Sequence, residues 1–299
     1  MKITIIGAGF VGANTCHNIA LKDIVDDIIL VDINETVDGK VIDLMQSKFI
    51  HNFKTNIYSI YDDNYNKTNN SDIIIITCGI ARKPGMTREE LFSTNYSIVK
   101  GAIDKLLIHS PNSIFIIVSN PMDKILQMLI NNTNIPKNKL IGMGNILDGS
   151  RFKYYIYQEL INHNLPLTMN IEAEVIGLHT DKDMIPLINQ AKVDNKFIKD
   201  IFTKEILDNI VHNTKNGGAT ITNLMKTSAY YSPAASITEL VETIINNNNK
   251  KVLNCSTMLH GEYGVYGKCL GVPVMIGKNG IEQIIIHDLN EDDLNKLQN

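Results

Sequence analysis

Along the first half of the chain, short runs of almost wholly apolar residues alternate with longer stretches in which apolar positions recur at helical spacing. The runs are KITIIGAG, DIILVDI, SDIIIITCG and SIFIIVSNP. Strands buried on both faces of a parallel sheet read this way, because neither face meets water. Between them lie amphipathic stretches such as VGANTCHNIALKD and STNYSIVKGAIDKLLIHS. The alternation predicts βαβ units with right-handed crossovers. After about residue 150 the pattern changes. RFKYYIYQELINHN predicts a helix and IEAEVIGLH a strand. The long helical stretch that follows is expected to break at Gly217-Gly218 and at Pro233. VLNCSTMLHGEYG, LGVPVMIG and IEQIIIH predict antiparallel strands. NEDDLNKLQN predicts a short helix capped by Asn290. The Asn-rich patches, Asn69-Asn70 and Asn246 to Asn249, read as exposed loops.

The first apolar run leads directly into Gly7-Ala8-Gly9-Phe10-Val11-Gly12, a GxGxxG that follows a strand and opens a helix. Gly7 suits the tight turn, Gly9 lets backbone approach a pyrophosphate, and Gly12 lets helix and strand pack closely. The helix start offers unpaired N–H groups to phosphate oxygens. Asp32 ends the second run, 20 residues after Gly12. An acid there accepts hydrogen bonds from a ribose diol and repels a 2′-phosphate, which favours NAD over NADP. The expected fold class is α/β, with a Rossmann-type NAD-binding domain over 1–147 and a second α+β domain for substrate over 148–299.

Composition narrows the partners. The 299 residues are 44% hydrophobic and carry 28 Lys+Arg against 32 Asp+Glu, a net charge of −4. No general basic footprint exists for nucleic acid, and an anionic substrate must rely on local arginines. The four cysteines, Cys16, Cys78, Cys255 and Cys269, have neither CxxC nor metal-ligand spacing, so no metal site is expected. The N-terminus enters a strand at once, and the longest apolar runs are too short to span a bilayer. The expectation is a cytoplasmic protein with no membrane partner.

Polar residues cluster where the apolar runs end. Ile80 to Arg88 follows SDIIIITCG, has a turn signal at Pro84-Gly85, and carries Arg82 and Arg88. A mobile lid that recognises anions and a solvated basic loop both fit it. Val118-Ser119-Asn120 ends the fourth run. Asp148 and Arg151 stand three apart, as a surface ion pair also does. His179 ends an apolar strand, which suits a structural histidine as well as a catalytic one.

Taken together, GAGFVG, the VDI acid, ITCGIARKPGMTREEL, VSNP, LDGSRF, VIGLH and SAYYSPAAS resemble the lactate/malate dehydrogenase family along essentially the whole chain. The likeness is strongest to its lactate-dehydrogenase-like malate dehydrogenases. The resemblance implies that His179 is the acid/base, oriented by Asp148. Arg151 would hold the substrate's C1 carboxylate, and Arg88 would polarise the carbonyl from the lid. Asn120 would bind the substrate oxygen near the nicotinamide. Asn95, Val118 and Ser119 would contact the cofactor, NAD. Arg82 stands where the family discriminates among 2-oxo acids, and an arginine there implies a dicarboxylate, malate/oxaloacetate. A homodimer or homotetramer is implied as well. Two departures stand out: Thr180 where Gly is usual, with Lys182 close by, and Gly149 where a bulkier residue is usual. Two alternatives therefore stay open: a lactate or other 2-hydroxyacid dehydrogenase, and an NAD-binding homologue impaired at the segment after His179.

Overall fold

The apolar runs settle as parallel strands. In the computed structural model, which describes residues 1–62, 64–81, 85–246 and 250–299, the first half contains four strand–helix pairs, one strand without a helix of its own, and a closing strand. These are β1 (Lys2–Ile6), α1 (Phe10–Lys22), β2 (Asp27–Val31), α2 (Thr36–His51), β3 (Asn56–Ile60), β4 (Ile73–Ile76), α3 (Arg88–His109), β5 (Ile114–Ile117), α4 (Met122–Asn132) and β6 (Leu140–Gly142), β3 alone being followed by a 3₁₀ turn rather than an α-helix. The strands pair in the order β3-β2-β1-β4-β5-β6, all parallel. That is the Rossmann order. The chemistry of the runs is explained by their two faces. Ile3, Ile5, Ile28, Leu30, Ile73, Ile75, Ile114 and Ile116 pack into one core, while Ile29, Val31, Ile74, Ile76, Phe115 and Ile117 pack into another. Two strands escape the apolar-run signal. β3 is an edge strand with mixed burial, and β6 has three residues.

Register positions the site. Ile6 lies level with Val31 and Ile76, and Ile76 with Ile117. The loops that begin at Gly7, Asp32, Thr77 and Val118 therefore leave the sheet along one edge, where open α/β sheets bind ligands.

The second half contains α5 (Gly144–Asn162), β7 (Ile171–Glu172), β8 (Val175–Gly177), β9 (Met184–Pro186), β10 (Lys192–Val193), β11 (Lys196–Phe197), α6 (Lys204–Met225), α7 (Tyr231–Ile245), β12 (Lys251–His260), β13 (Tyr266–Gly277), β14 (Gly280–Ile284) and α8 (Glu291–Gln298). Its main strands extend the same sheet as β6-β12-β13-β8-β9, with β14 also on β13. The join is one residue pair, Gly142 with Ser256. A Cβ on Gly142 would stand 2.8 Å from that of Ser256, so glycine permits the approach. β7, β10 and β11 form a separate small sheet, and Phe152, Ile156, Val175 and Ile210 centre a third core.

Three local expectations are corrected. Helix α6 passes through Gly217-Gly218 unbroken; the interruption falls between Met225 and Tyr231, and Pro233 sits in the first turn of α7, where its missing N–H costs nothing. IEAEVIGLH is two short strands, parted at Ala173-Glu174. Helix α5 begins at Gly144, so LDGSR lies one turn inside it. Helix α5 also contains residues 147 and 148, on either side of the expected domain division. Asn290 caps α8, its side chain accepting from Asp293 N–H. Among the described residues, no helix is long and apolar enough to cross a membrane.

Candidate active site

The glycine loop is shaped by contacts that a side chain would destroy. Gly7 has φ +100°, and a Cβ there would lie 2.7 Å from the Cys78 nitrogen. A Cβ on Gly12 would lie 1.8 Å from the Gly7 carbonyl oxygen. Gly9, by contrast, has nothing within 4 Å of its Cβ direction and serves as N-cap of α1 without a side-chain cap. Gly9 thus leaves room at the start of α1, whose first N–H groups have no partner within the helix, as a diphosphate needs. Asp32 Oδ2 accepts from Ala8 N–H at 2.6 Å, which fixes the acid beside the loop, and Lys40 Nζ donates to the Ala8 carbonyl. Phe10 is 63% exposed and stacks on Tyr230, ring centroids 5.0 Å apart. The dinucleotide features therefore fit the residues present.

Asn95 ties two loops together. It is buried; its Nδ2 donates to the Asn120 carbonyl at 2.7 Å and to that of Ile80 at 3.1 Å, and its Oδ1 accepts from Ile80 N–H at 2.8 Å. Gly79, at φ +147°, makes room beside it. Ser119 Oγ donates to the Cys78 carbonyl, Val118 is half-buried and Asn120 is exposed. Arg88 is the exposed first residue of α3. Arg82 lies outside the described residues. The thiols are kept neutral by burial, which pushes Cys78 up to about 12 and Cys16, Cys255 and Cys269 higher still.

Across the edge lies a buried ionic cluster. Asp148 in α5 is fully buried; its Oδ2 meets His179 Nδ1 at 2.7 Å, and its Oδ1 accepts from an Arg151 terminal nitrogen at 3.2 Å. The His179 side chain is 15% exposed and that of Arg151 13%. Arg151 Nε is buried with no partner among the described residues, a donor awaiting an acceptor. Burial pulls the His179 imidazole down, but Asp148, by charge and hydrogen bond, and then Asp123 by charge hold it above its ordinary value of 6.5, with Arg151 opposing. A cationic imidazole in contact with a carboxylate is a proton carrier matched to neutral pH.

Several contributors carry no sequence signal that sets them apart. Asp123, in the first turn of α4, accepts from His179 N–H at 2.6 Å and from Ser256 O–H at 2.6 Å; in the sequence it reads as an ordinary acid at a helix N-terminus. A Cβ on Gly144 would come within 2.5 Å of His179 Cγ, so its absence makes the space for the ring. Cβ atoms on Gly217 and Gly218 would lie 3.4–3.5 Å from Tyr155 and Arg151, in ordinary contact, so the Arg151 guanidinium lies along this stretch of α6.

Fold and site define a class: a nucleotide-dependent oxidoreductase of the α/β type. Residues 1–142 match the lactate/malate dehydrogenase NAD binding domain, and residues 146–299 the lactate/malate dehydrogenase alpha/beta C-terminal domain. The malate dehydrogenase of Bacteroides fragilis is 44% identical over 298 residues, 99% of this chain and 93% of that protein. The malate dehydrogenase structure from Salinibacter ruber superposes with TM-score 0.91 at 34% identity, covering 99% and 93% of the two chains. The lactate dehydrogenase of Cryptosporidium parvum, complexed with lactic acid and nicotinamide adenine dinucleotide, gives TM-score 0.91 at 30% identity with the same coverage. The chain belongs to the lactate/malate dehydrogenase family, and its cofactor is NAD.

Proposed function

We propose that the chain catalyses the reversible NAD-dependent oxidation of (S)-malate to oxaloacetate. The observation that carries this reading is the buried His179–Asp148 pair with Arg151 beside it. Bound NAD supplies the hydride chemistry. The loop from Gly7 to Gly12 and the start of α1 would hold its diphosphate, Asp32 its ribose hydroxyls, and Asn95, Val118 and Ser119 the turn beside its nicotinamide. His179 has Nδ1 engaged, which leaves Nε2 to take the hydroxyl proton in oxidation and return it in reduction. Asp148 holds the ring and offsets its positive charge. Arg151, with its unpartnered Nε, would grip the C1 carboxylate. Arg88 would polarise the reacting carbonyl, and Asn120 would hydrogen-bond its oxygen.

The choice of a dicarboxylate rests on Arg82, whose guanidinium pyruvate would leave unpaired in a closing pocket, and on the likeness to malate dehydrogenases. Shape does not separate the alternatives, since the lactate dehydrogenase superposes equally well. Against an impaired homologue stands the turn after His179. Thr180 is not among the residues with positive φ, and its hydroxyl closes the turn by accepting from Asp183 N–H at 3.0 Å. The glycine usual there is not needed, and the His179–Asp148 contact is intact.

The reading extends to residues 1–147 as the NAD-binding domain and 148–299 as the substrate domain, to a place in the tricarboxylic acid cycle, and to a cytoplasmic location. It also includes a homodimer or homotetramer, for which the exposed apolar side chains of α2 speak. The test is NADH oxidation with a panel of 2-oxo acids. Oxaloacetate should exceed pyruvate in kcat/KM by on the order of 10³-fold, and Arg82→Gln should collapse that margin. A preference for pyruvate, or an unchanged margin in Arg82→Gln, rejects the substrate; a preference for NADPH rejects the role of Asp32.

A further inference from the structure

Asp123 is a carboxylate that the reaction as proposed does not use, yet it is placed against the acid/base. It stands in the first turn of α4, is buried, and spends both oxygens on short contacts. Oδ2 accepts the His179 main-chain N–H at 2.6 Å, and Oδ1 accepts the Ser256 hydroxyl at 2.6 Å. Ser256 is the β12 residue that joins the two parts of the sheet through Gly142. One carboxylate thus fastens three elements: the start of α4, the seam strand β12, and the residue that follows β8 and carries the imidazole.

The groups that face His179 can be counted. Asp148 and Arg151 come from α5 and Asp123 from α4. Lys182 and Asp183 follow it in the chain but are exposed. Asp123 itself is faced by Ser256 from β12, Cys269 from β13, Asp148 from α5 and His179. Two buried carboxylates therefore confront one guanidinium and one imidazole. Their charges cancel only when the imidazole is protonated. An ionised Asp123 is supported by its partners: the main-chain N–H can only donate, and the α4 N-terminus favours negative charge. Burial works the other way and pushes its carboxyl up.

We propose that Asp123 is a positioning residue for proton transfer. Its carboxylate fixes the main chain of His179 and, with Asp148, makes imidazolium the charge-balanced state of the pocket. The proposal rests on the reading of His179 as acid/base. It is tested on the full-length protein by two readouts. One is kcat/KM for oxaloacetate against pH; the other is an NMR titration of ¹⁵N-labelled imidazole without cofactor, the His179 signal being assigned by its loss in His179→Asn. In the wild type both midpoints should lie above pH 6.5, with reduction failing as pH rises through them. Asp123→Asn should move both acidward by about one pH unit or more. Asp123→Glu should restore part of the displacement. Ser256→Ala leaves the carboxylate but removes a donor that favours its ionised form, and should move both midpoints the same way by less; it decides the matter should Asp123→Asn not fold. Midpoints that stay at the wild-type value in a folded Asp123→Asn, or in Ser256→Ala where that variant decides, overturn the proposal. If His179→Asn keeps full turnover, the acid/base reading fails instead, while the imidazole titration still reports on Asp123.

Discussion

Helix α5 contains two glycines five residues apart whose surroundings are opposite. A Cβ on Gly144 would stand 2.5 Å from His179 Cγ and 2.8 Å from Met122 Cε. A Cβ on Gly149 would meet nothing closer than the Ala173 carbonyl oxygen at 3.7 Å, an ordinary contact. Gly144→Ala should therefore overpack the pocket, costing about 1–3 kcal/mol, and displace the ring, with turnover falling roughly 10²-fold. Gly149→Ala should stabilise the fold by about 0.8–1 kcal/mol through helix propensity alone, with turnover unchanged. Thermal unfolding and steady-state kinetics on the two variants check this; equal effects would sink it. The sequence marks only Gly149, as a departure from the family pattern, and is silent on Gly144, because a glycine reports no neighbours. Gly7, Gly9, Gly12, Asp32 and His179 are legible for the opposite reason. Gly7, Asp32 and His179 follow the ends of apolar strands, and Gly9 and Gly12 fall in the glycine spacing that continues from the first of them, so the strand pattern places them at the ligand edge. Asp123 and Gly144 act through contacts made across the sheet, which no spacing encodes.

At the scale of elements, the start of α3 carries Arg88 and is held by a capping box. Thr87 Oγ1 accepts from Glu90 N–H at 3.1 Å, while the Glu90 carboxylate accepts from Thr87 N–H at 2.8 Å. Thr87→Ala should cost about 1 kcal/mol and fray the turn that presents Arg88. The unfolding midpoint should fall, and kcat/KM for oxaloacetate should drop several-fold. Thr87→Ser should recover both. A variant that loses stability with kcat/KM intact would detach Arg88 from the reaction. The T-x-x-E spacing makes this cap readable from sequence. Helix α6 is the contrary case. Gly217-Gly218 signals a break by propensity, at roughly 1 kcal/mol for each glycine, but packing overrides it. The pair packs against Tyr155 and Arg151 of α5. Short strands are similarly opaque: β6 offers three residues, too few for a periodic signal.

At the scale of the whole molecule, α2 leaves an apolar face uncovered. Phe49 is 82% and Ile50 78% exposed, and Ile42, one heptad before Phe49, joins them. Burial against a second copy would remove this surface from water. Phe49→Glu should shift the protein from oligomer to monomer, read by light scattering across a concentration series. A wild type that is monomeric throughout, or a variant that stays assembled, would count against this face. The overall architecture is legible because alternating strands and helices leave few topologies. The continuity of the sheet across both halves is not, since its join is a single pair, Gly142 with Ser256.

That join also bears on how such a chain can be re-engineered or recombined. The halves are not interchangeable cassettes. A chimera spliced within α5 would inherit β6 from one parent and β12 from the other, and it would have to match a glycine to the incoming serine and supply the acid that grips that serine. Crossovers that ignore this three-residue lock would leave β6 as a bare margin inviting self-association, whatever the quality of either parent alone.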